Sequence, residues 1–361
     1  MIKIAIDARW INSSGMGVYL KNIIPEIAKY YNKHEIYLLG NSKVLRSMKG
    51  LNLNNIKYIE YNCKMYSILD QFILPFIIPS NTNLYFSTHY NIPVFYKGKI
   101  LVMVYDINHI VNIKFKYFHR YIYALFFFTV IGYKVCHVLT ISNFTKYQYL
   151  KKFKFFNLPI TVTSLASIFN LSASVFPVAK STPPYILFVG NIKPHKNLGV
   201  LLDAFKLIKD RIPHNLLLVG KRDGFISGDS NSQLLDGAID GRIKFAGFIP
   251  DADMPTVYRN ASVFVFPSLY EGFGLPPLEA MSFDCPVISS NAASLPEVCG
   301  DAALYFDPIS PKDLSDKLML LFSSDLLRSD LVQKGRKNIR RFSWEDCATK
   351  TIEVIDSLVG T

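Results

Sequence analysis

A chain of 361 residues is longer than one simple core requires and suits two domains of ordinary size. Half of its residues are hydrophobic, 14% are aromatic and 19% are charged, a profile of globular α/β domains with a surface suited to a membrane. The five cysteines, Cys63, Cys136, Cys285, Cys299 and Cys347, are dispersed with no C-x-x-C pair, which argues for reduced, buried thiols of a cytosolic protein and against a disulfide framework or a zinc site.

The net charge of +12 is unevenly distributed: residues 1–165 hold 20 Lys and Arg against 6 Asp and Glu, and the remainder holds 20 against 22. A basic first half suits an anionic partner, whether nucleic acid, an anionic bilayer or a pyrophosphate-bearing substrate; a merely solvated basic face is the plainer alternative. The N-terminus enters a strand-like alternation directly, without the apolar region of a signal peptide. The longest uncharged apolar run, residues 121–133, is shorter than the ~20 residues of a membrane-spanning helix. The expectation is a cytoplasmic protein that is not integral to a membrane.

In chain order, "IKIAIDA" reads as a strand, "NSSGMG" as a glycine loop and "VYLKNIIPEIAKYY" as an amphipathic helix. "EIYLLG", "LYFST", "ILVMVYD" and "VCHVLTIS" follow as strands. The pattern restarts at residue 184 with the strand "PYILFVG", the helix "NLGVLLDAFKLIKDR" and the strand "NLLLVG". "IKFAGFI", "ASVFVFPS" and "CPVISS" continue it, and "SWEDCATKTIEVIDSLVG" is a Ser-capped closing helix. Strands rich in Ile, Val and Leu that alternate with helices predict parallel, doubly wound sheets, and the restart predicts two of them. The expected domains are 1–170, a linker at 171–183, 184–342, and a terminal helix at 343–361 that packs back on the first domain.

The stretch "FPSLYEGFGLPPLEAM" carries the chemistry. After the strand "VFVFPS" comes a loop, then a helix expected to start at Pro276, because a first-turn proline loses no intrahelical hydrogen bond. The N–H groups of Gly272, Phe273, Gly274 and Leu275 then precede the helix, where free donors and the positive end of the helix dipole seat an anion. Glu271 stands before this seat and Glu279 one turn into the helix. Paired carboxylate oxygens suit vicinal hydroxyls, so the arrangement fits a nucleoside-diphosphate sugar. The plainer reading is that Glu279 supports a helix start and Glu271 a turn.

Taken together, these motifs resemble those of the family 4 retaining glycosyltransferases. "FPSLYEGFGLPPLEAM" is similar to that family's E-x7-E signature, and "PVISSNAASLPEVCGDAALYFDP" to the segment after it. "ILFVGNIKPHKNLGVLLDAF" resembles the opening of the donor domain, and "IAIDARWINSSGMGVYLKNI" the N-terminal glycine loop. "LTISNFTKYQYL" and "FSWEDCATKTIEV" complete a resemblance that covers essentially the whole chain. It implies the GT-B architecture, two facing Rossmann-like doubly wound domains with a deep interdomain cleft.

It also implies roles. Glu271 contacts the donor sugar near the reacting carbon, Glu279 binds the ribose diol, and the amides of Gly272, Phe273, Gly274 and Leu275 hold the diphosphate and sugar. Lys196, in "PHKN", neutralises the leaving group as a compact charge. Gly15 and Gly17 close over the phosphates from the first domain. The backbone at Phe248 and Ile249 reads the base, near "VGKRDG" and "GFIPD". No protein nucleophile is implied, and the departing phosphate helps to deprotonate the acceptor.

Metal independence is expected, with no cofactor beyond the donor; "DAD" at 251–253 reads as a turn. Two positions depart from the family pattern. Asn191 stands where relatives carry Arg, with His195 or Arg222 as candidate substitutes. Tyr105-Asp106 stands where relatives carry His-Asp; Tyr105 can donate a hydrogen bond to a sugar hydroxyl but cannot carry a proton near neutral pH. His89 and His109 read as structural or surface residues.

The implied function moves a hexose to a lipid-linked or polysaccharide acceptor in surface-glycan assembly, such as O-antigen or lipopolysaccharide synthesis; "GNIKPHKNL" with "EGFGLPPLEAM" resembles mannosyl- and rhamnosyl-type members, with GDP-mannose as the first donor. The segment "NIKFKYFHRYIYALFFF", residues 112–128, interleaves basic and aromatic residues and is expected to meet an anionic membrane at the cytoplasmic face. Other GT-B enzymes, such as a sugar-nucleotide epimerase or phosphorylase, are the alternative. A basic nucleic-acid-binding protein ranks lower for want of a nucleic-acid motif. A NAD-dependent dehydrogenase is disfavoured because "SSGMGVYL" lacks G-x-G-x-x-G.

Overall fold

The apolar runs form two sheets whose described pairings are all parallel. The computed structural model describes residues 1–111, 118–169, 183–221 and 241–360. The chain divides into one unit of Met1–Leu165 with the segment from Ser343 onward, and a second of Ala166–Phe342. The expected linker lies outside the described residues, apart from residue 183.

In chain order the first unit runs β1 Lys3–Asp7, α1 Ser14–Tyr30, β2 Glu35–Gly40, α2 Ser42–Arg46, β3 Ile56–Glu60, α3 Ile68–Ile77, β4 Leu84–Ser87 and β5 Ile100–Val104. It continues with α4 Asn108–Val111, α5 Phe118–Lys134, β6 His137–Thr140, α6 Asn143–Lys152 and β7 Ile160–Val162. The sheet order is β3-β2-β1-β4-β5-β6-β7. Direction reverses between β1 and β4, and such a reversal opens a crevice at the carboxyl ends of the two strands. Every residue of β5 is buried, as a strand covered on both faces requires.

One reading changes here. Gly15 and Gly17 are not in a loop: α1 begins at Ser14, so both lie in its first turn. The turn Trp10–Ser13 packs tightly there, with the Gly17 N–H donating to the Ser13 carbonyl at 3.0 Å. Any Cβ at Gly17 would overlap the Ile11 carbonyl oxygen. Of the segment 112–128, residues 112–117 lie outside the described residues; the rest opens α5, which buries Ala124, Phe127 and Phe128 and exposes Phe118, Ile122 and Phe126.

The C-terminal helix Trp344–Val359 belongs to this unit. Ser343 caps its start by accepting from the Asp346 N–H at 2.9 Å, and Gly360 ends it in the left-handed region. Its Cys347, Ala348, Thr351, Val354 and Ile355 are buried. Asp356 accepts from the hydroxyls of both Tyr30, at 2.8 Å, and Tyr31.

The second unit runs β8 Tyr185–Val189, a 3-10 turn Pro194–Lys196, α7 Leu198–Ile208, β9 Asn215–Val219, β10 Ile243–Gly247, a helix Met254–Asn260 and β11 Val263–Phe266. The helix Leu275–Ser282, β12 Val287–Ser290, the helix Leu295–Cys299, β13 Ala303–Phe306 and the helices Pro311–Ser323 and Asp325–Asn338 complete it. The order β10-β9-β8-β11-β12-β13 reverses between β8 and β11. Phe188, Leu201, Phe205, Leu216, Val265 and Leu318 fill a shared core. Full burial of each such side chain is worth about 1.5–3 kcal/mol. Among the described residues no helix is long and apolar enough to cross a membrane.

Candidate functional site

The segments after β8 and β11 are tied together at the reversal point of the second sheet. Leu269 donates its N–H to the His195 carbonyl at 2.8 Å. Asn197, in the left-handed conformation, donates its side-chain amide to the carbonyls of Pro267 at 3.1 Å and Pro308 at 2.7 Å. These bonds set Lys196 opposite Glu271, with Nζ and Oε1 2.7 Å apart and both side chains mostly buried. The ammonium also lies 5.0 Å from the centroid of the Phe266 ring. Residues 75 apart in sequence thus form one ion pair.

The loop beyond Glu271 is held from beneath. The buried Ser294 hydroxyl lies 2.6 Å from the Phe273 carbonyl oxygen and 3.0 Å from that of Glu271. Ser290 donates to the Ser268 carbonyl at 2.6 Å. With the carbonyls drawn inward, the N–H groups of Phe273 and Gly274 have no protein acceptor among the described residues. Gly274 has φ +120°, and a Cβ there would sit 2.8 Å from Leu295 Cδ2, so the turn requires glycine. The helix begins at Leu275, one residue ahead of the expected Pro276. Pro276 and Pro277 follow in the first turn, where a missing N–H leaves no intrahelical bond unmade.

Glu279 lies on this helix and accepts from the Tyr258 hydroxyl at 2.8 Å. Burial pushes its carboxyl up to about 7, against the opposing pull of the Tyr258 hydrogen bond. The carboxylate therefore gains its charge near neutrality, where two hydroxyl donors would stabilise it.

At the carboxyl ends of β8, β9 and β10 stand Gly190, Gly220 and Gly247. Gly190 donates to the Val219 carbonyl at 2.9 Å, and Gly220 to that of Gly247 at 2.8 Å. Gly220 has φ +145°, and any Cβ would overlap the Gly190 carbonyl oxygen. Phe248 follows with an exposed ring, 5.6 Å from Lys221 Nζ, and Ile249 is half-buried beside it. Asn191 accepts from the Lys221 N–H at 3.4 Å, so its side chain meets backbone. Arg222 lies outside the described residues.

The first unit holds the other expected residues. Asp106 accepts from the Asn108 N–H at 2.8 Å and is half-buried. Tyr105 packs edge-on to Tyr19, ring centroids 6.0 Å apart, and its hydroxyl is buried with no hydrogen-bond partner among the described residues. A hydrogen bond from Tyr105 to a sugar requires the ring to turn from this position. A cluster that sequence reasoning missed sits at the reversal between β1 and β4. Arg9 pairs with Asp7 at 2.6 Å and with Asp70 at 2.7 Å, all three nearly inaccessible. Burial raises the Asp7 carboxyl, but the charge and hydrogen bonds of Arg9 prevail and hold it below its ordinary value. Its signals were the D-x-R of "IDARW" and the lone Asp of the apolar run "SILDQFILPF". Among the described residues no three His, Cys, Asp or Glu side chains are grouped to hold a metal ion.

Residues 174–338 match the family described as Glycosyl transferases group 1. The chain is 37% identical over 226 residues to O-antigen chain mannosyltransferase B of Escherichia coli, covering 60% of this chain and 59% of that one. It therefore spans less than two thirds of that relative. Sucrose-phosphate synthase from Thermosynechococcus elongatus superposes with a TM-score of 0.77 over the whole of both chains at 17% identity. Anabaena HepE in complex with UDP-glucose superposes with a TM-score of 0.73, over 99% of this chain and 100% of that one, at 14% identity. These superpositions give the chain the GT-B fold.

Proposed function

We propose that the chain is a retaining hexosyltransferase that takes a sugar from a nucleoside-diphosphate donor, GDP-mannose first, to a lipid-linked or polysaccharide acceptor of a surface glycan. The observation that carries this reading is the Lys196–Glu271 pair beside the unpaired N–H groups of Phe273 and Gly274, at the carboxyl ends of β8 and β11. A crevice at such a reversal point is where open α/β sheets take ligands. The similarity to an O-antigen mannosyltransferase supports mannose as the first sugar to test.

In this reading the N–H groups from Gly272 to Leu275 hold the diphosphate and Lys196 Nζ compensates the charge that grows on it. Glu271 orients sugar hydroxyls, Glu279 accepts from the ribose diol, and the backbone at Phe248 and Ile249 meets the base. The bond from the anomeric carbon to the diphosphate oxygen breaks while the acceptor oxygen bonds to the same face. The acceptor proton passes to the departing phosphate. Positioning and charge stabilisation then supply the catalysis. The basic first unit suits an anionic bilayer at the cytoplasmic face, where a lipid-linked acceptor would be met.

Calorimetry against GDP, UDP, dTDP and CDP and their common sugars, repeated with Glu279→Ala, tests the proposal. Selective binding of one nucleoside diphosphate, weakened by the substitution, is the expected result. Binding of none, with or without a lipid-acceptor mixture, would sink it. Product analysis separates transfer from epimerisation or phosphorolysis.

A further inference from the structure

Helix α3 is built inside out. At 100° per residue, Ile68, Leu69, Phe72, Ile73 and Phe76 occupy one arc of about 140°. These five side chains are the exposed ones, at 41% to 89% of their surface. The opposite arc presents Asp70, Gln71 and Leu74, all buried. Asp70 accepts from Arg9 at 2.7 Å, from the Tyr61 hydroxyl at 2.5 Å and from the Asn91 amide at 3.4 Å. Gln71 Oε1 accepts from the Val94 N–H at 2.9 Å. A helix on a water-facing surface shows the reverse pattern.

The apolar face continues beyond the helix to Phe95, which is exposed and stacked on Phe72 at 5.1 Å. The chain segment that carries it is basic at its surface. Between residues 61 and 99 the sole carboxylate is Asp70, turned inward, while Lys64 and Lys97 are exposed.

We propose that this face enters the headgroup–acyl boundary of an anionic bilayer, with α3 in the interface plane and Lys64 and Lys97 among the phosphates. The inference rests on the membrane reading above and deepens it, moving the contact from residues 112–128 to α3. A second copy of the chain would bring a matching apolar face but the same lysines, like charge against like; an anionic bilayer complements both features. The inner arc of α3 also supplies Asp70 to the cluster at the carboxyl ends of β1 and β4. One helix therefore joins the bilayer face to that crevice, where a headgroup-borne acceptor would approach.

The test is flotation of the full chain with vesicles of phosphatidylcholine, with and without phosphatidylglycerol. Wild type is compared with Phe72→Asp/Phe76→Asp, with Phe76→Asp alone, and with Ile122→Asp/Phe126→Asp on α5. Phe76 is the most exposed of the α3 residues, so its single substitution leaves the fold intact. Wild type should float with the phosphatidylglycerol vesicles, less so at high salt, and the α3 double variant roughly tenfold or more weakly. The α5 variant should float like wild type, and all should keep their melting temperature and nucleoside-diphosphate binding. Unchanged flotation of the α3 variants, loss confined to the α5 variant, or no flotation of wild type overturns the proposal. So does wild-type self-association in sedimentation that the α3 substitutions abolish. Nucleotide binding is read in parallel, so a chain that floats but binds no nucleotide removes the sugar-transfer reading and leaves this one standing.

Discussion

Lys196 Nζ lies 2.7 Å from Glu271 Oε1, each supplied by the segment that leaves one of two adjacent parallel strands, β8 and β11. In the proposed function a diphosphate takes the carboxylate's place as partner of this mostly buried charge. Lys196→Met should therefore lower kcat/KM by about 10²–10³-fold, as loss of a charge aimed at a leaving group does, with a smaller effect on nucleoside binding. Steady-state kinetics with the donor found by calorimetry checks this; an unchanged kcat would remove Lys196 from the reaction.

The Glu279 carboxyl, raised from 4.5 to about 7 by burial, binds its proton more tightly in the folded chain than in the unfolded one. Its share of stability is full below the unfolded value and is lost as pH rises through the folded one, by an amount on the order of 3 kcal/mol. Glu279→Gln should flatten the stability profile between about pH 5 and pH 8 and gain most at the upper end. Urea titrations of both proteins across that range measure it. Nucleoside binding should show the opposite trend, tightening in wild type as the carboxylate forms and staying flat in the variant.

Gly220 and Gly274 both sit at positive φ with a neighbour where a Cβ would stand. At Gly274 that neighbour is the end of a leucine side chain, which can shift. At Gly220 it is a backbone oxygen, which cannot without moving β8. Gly274→Ala should cost about 1–3 kcal/mol, the range for a strained φ, and Gly220→Ala more. Thermal melts rank the two, and the reverse order would contradict the packing described for β8 and β9.

Asp356 accepts from Tyr30 and Tyr31 and so clips the C-terminal helix to α1. Asp356→Ala should cost about 1–2 kcal/mol, since it removes charge-assisted bonds and leaves the hydroxyl of the buried Tyr31 unpaired. Proteolysis near residue 343 should speed up in parallel. Equal cleavage rates in the two proteins would mean that apolar packing alone holds the helix.

Much of this architecture was legible in the chain because central parallel strands are covered on both faces and must be apolar throughout. β5, β8 and β11 were read for that reason. The strands that went unread, β3, β7 and β13, all lie at sheet edges. One face of an edge strand meets water, so "IKYIE" and "ITV" carry no continuous apolar run. The start of α1 was misplaced for a different reason: Gly15 and Gly17 look like loop residues, and only the approach of the Ile11 carbonyl shows why a first helical turn needs glycine there.

The same division runs through the site and the surface. By itself the sequence determined the alternation of elements, the restart at the second domain and the loop of Glu271 to Glu279, since each is written in local spacing. Which groups meet was decided by the tertiary structure: Lys196 with Glu271, Glu279 with Tyr258, Ser294 beneath the loop, Asp70 with Arg9. These partners come from distant strands and helices, and their distances follow from strand order. The structure also decided which face of α3 meets solvent. Helical periodicity separates a polar arc from an apolar one, but it cannot say which arc is inside when buried partners await the polar one.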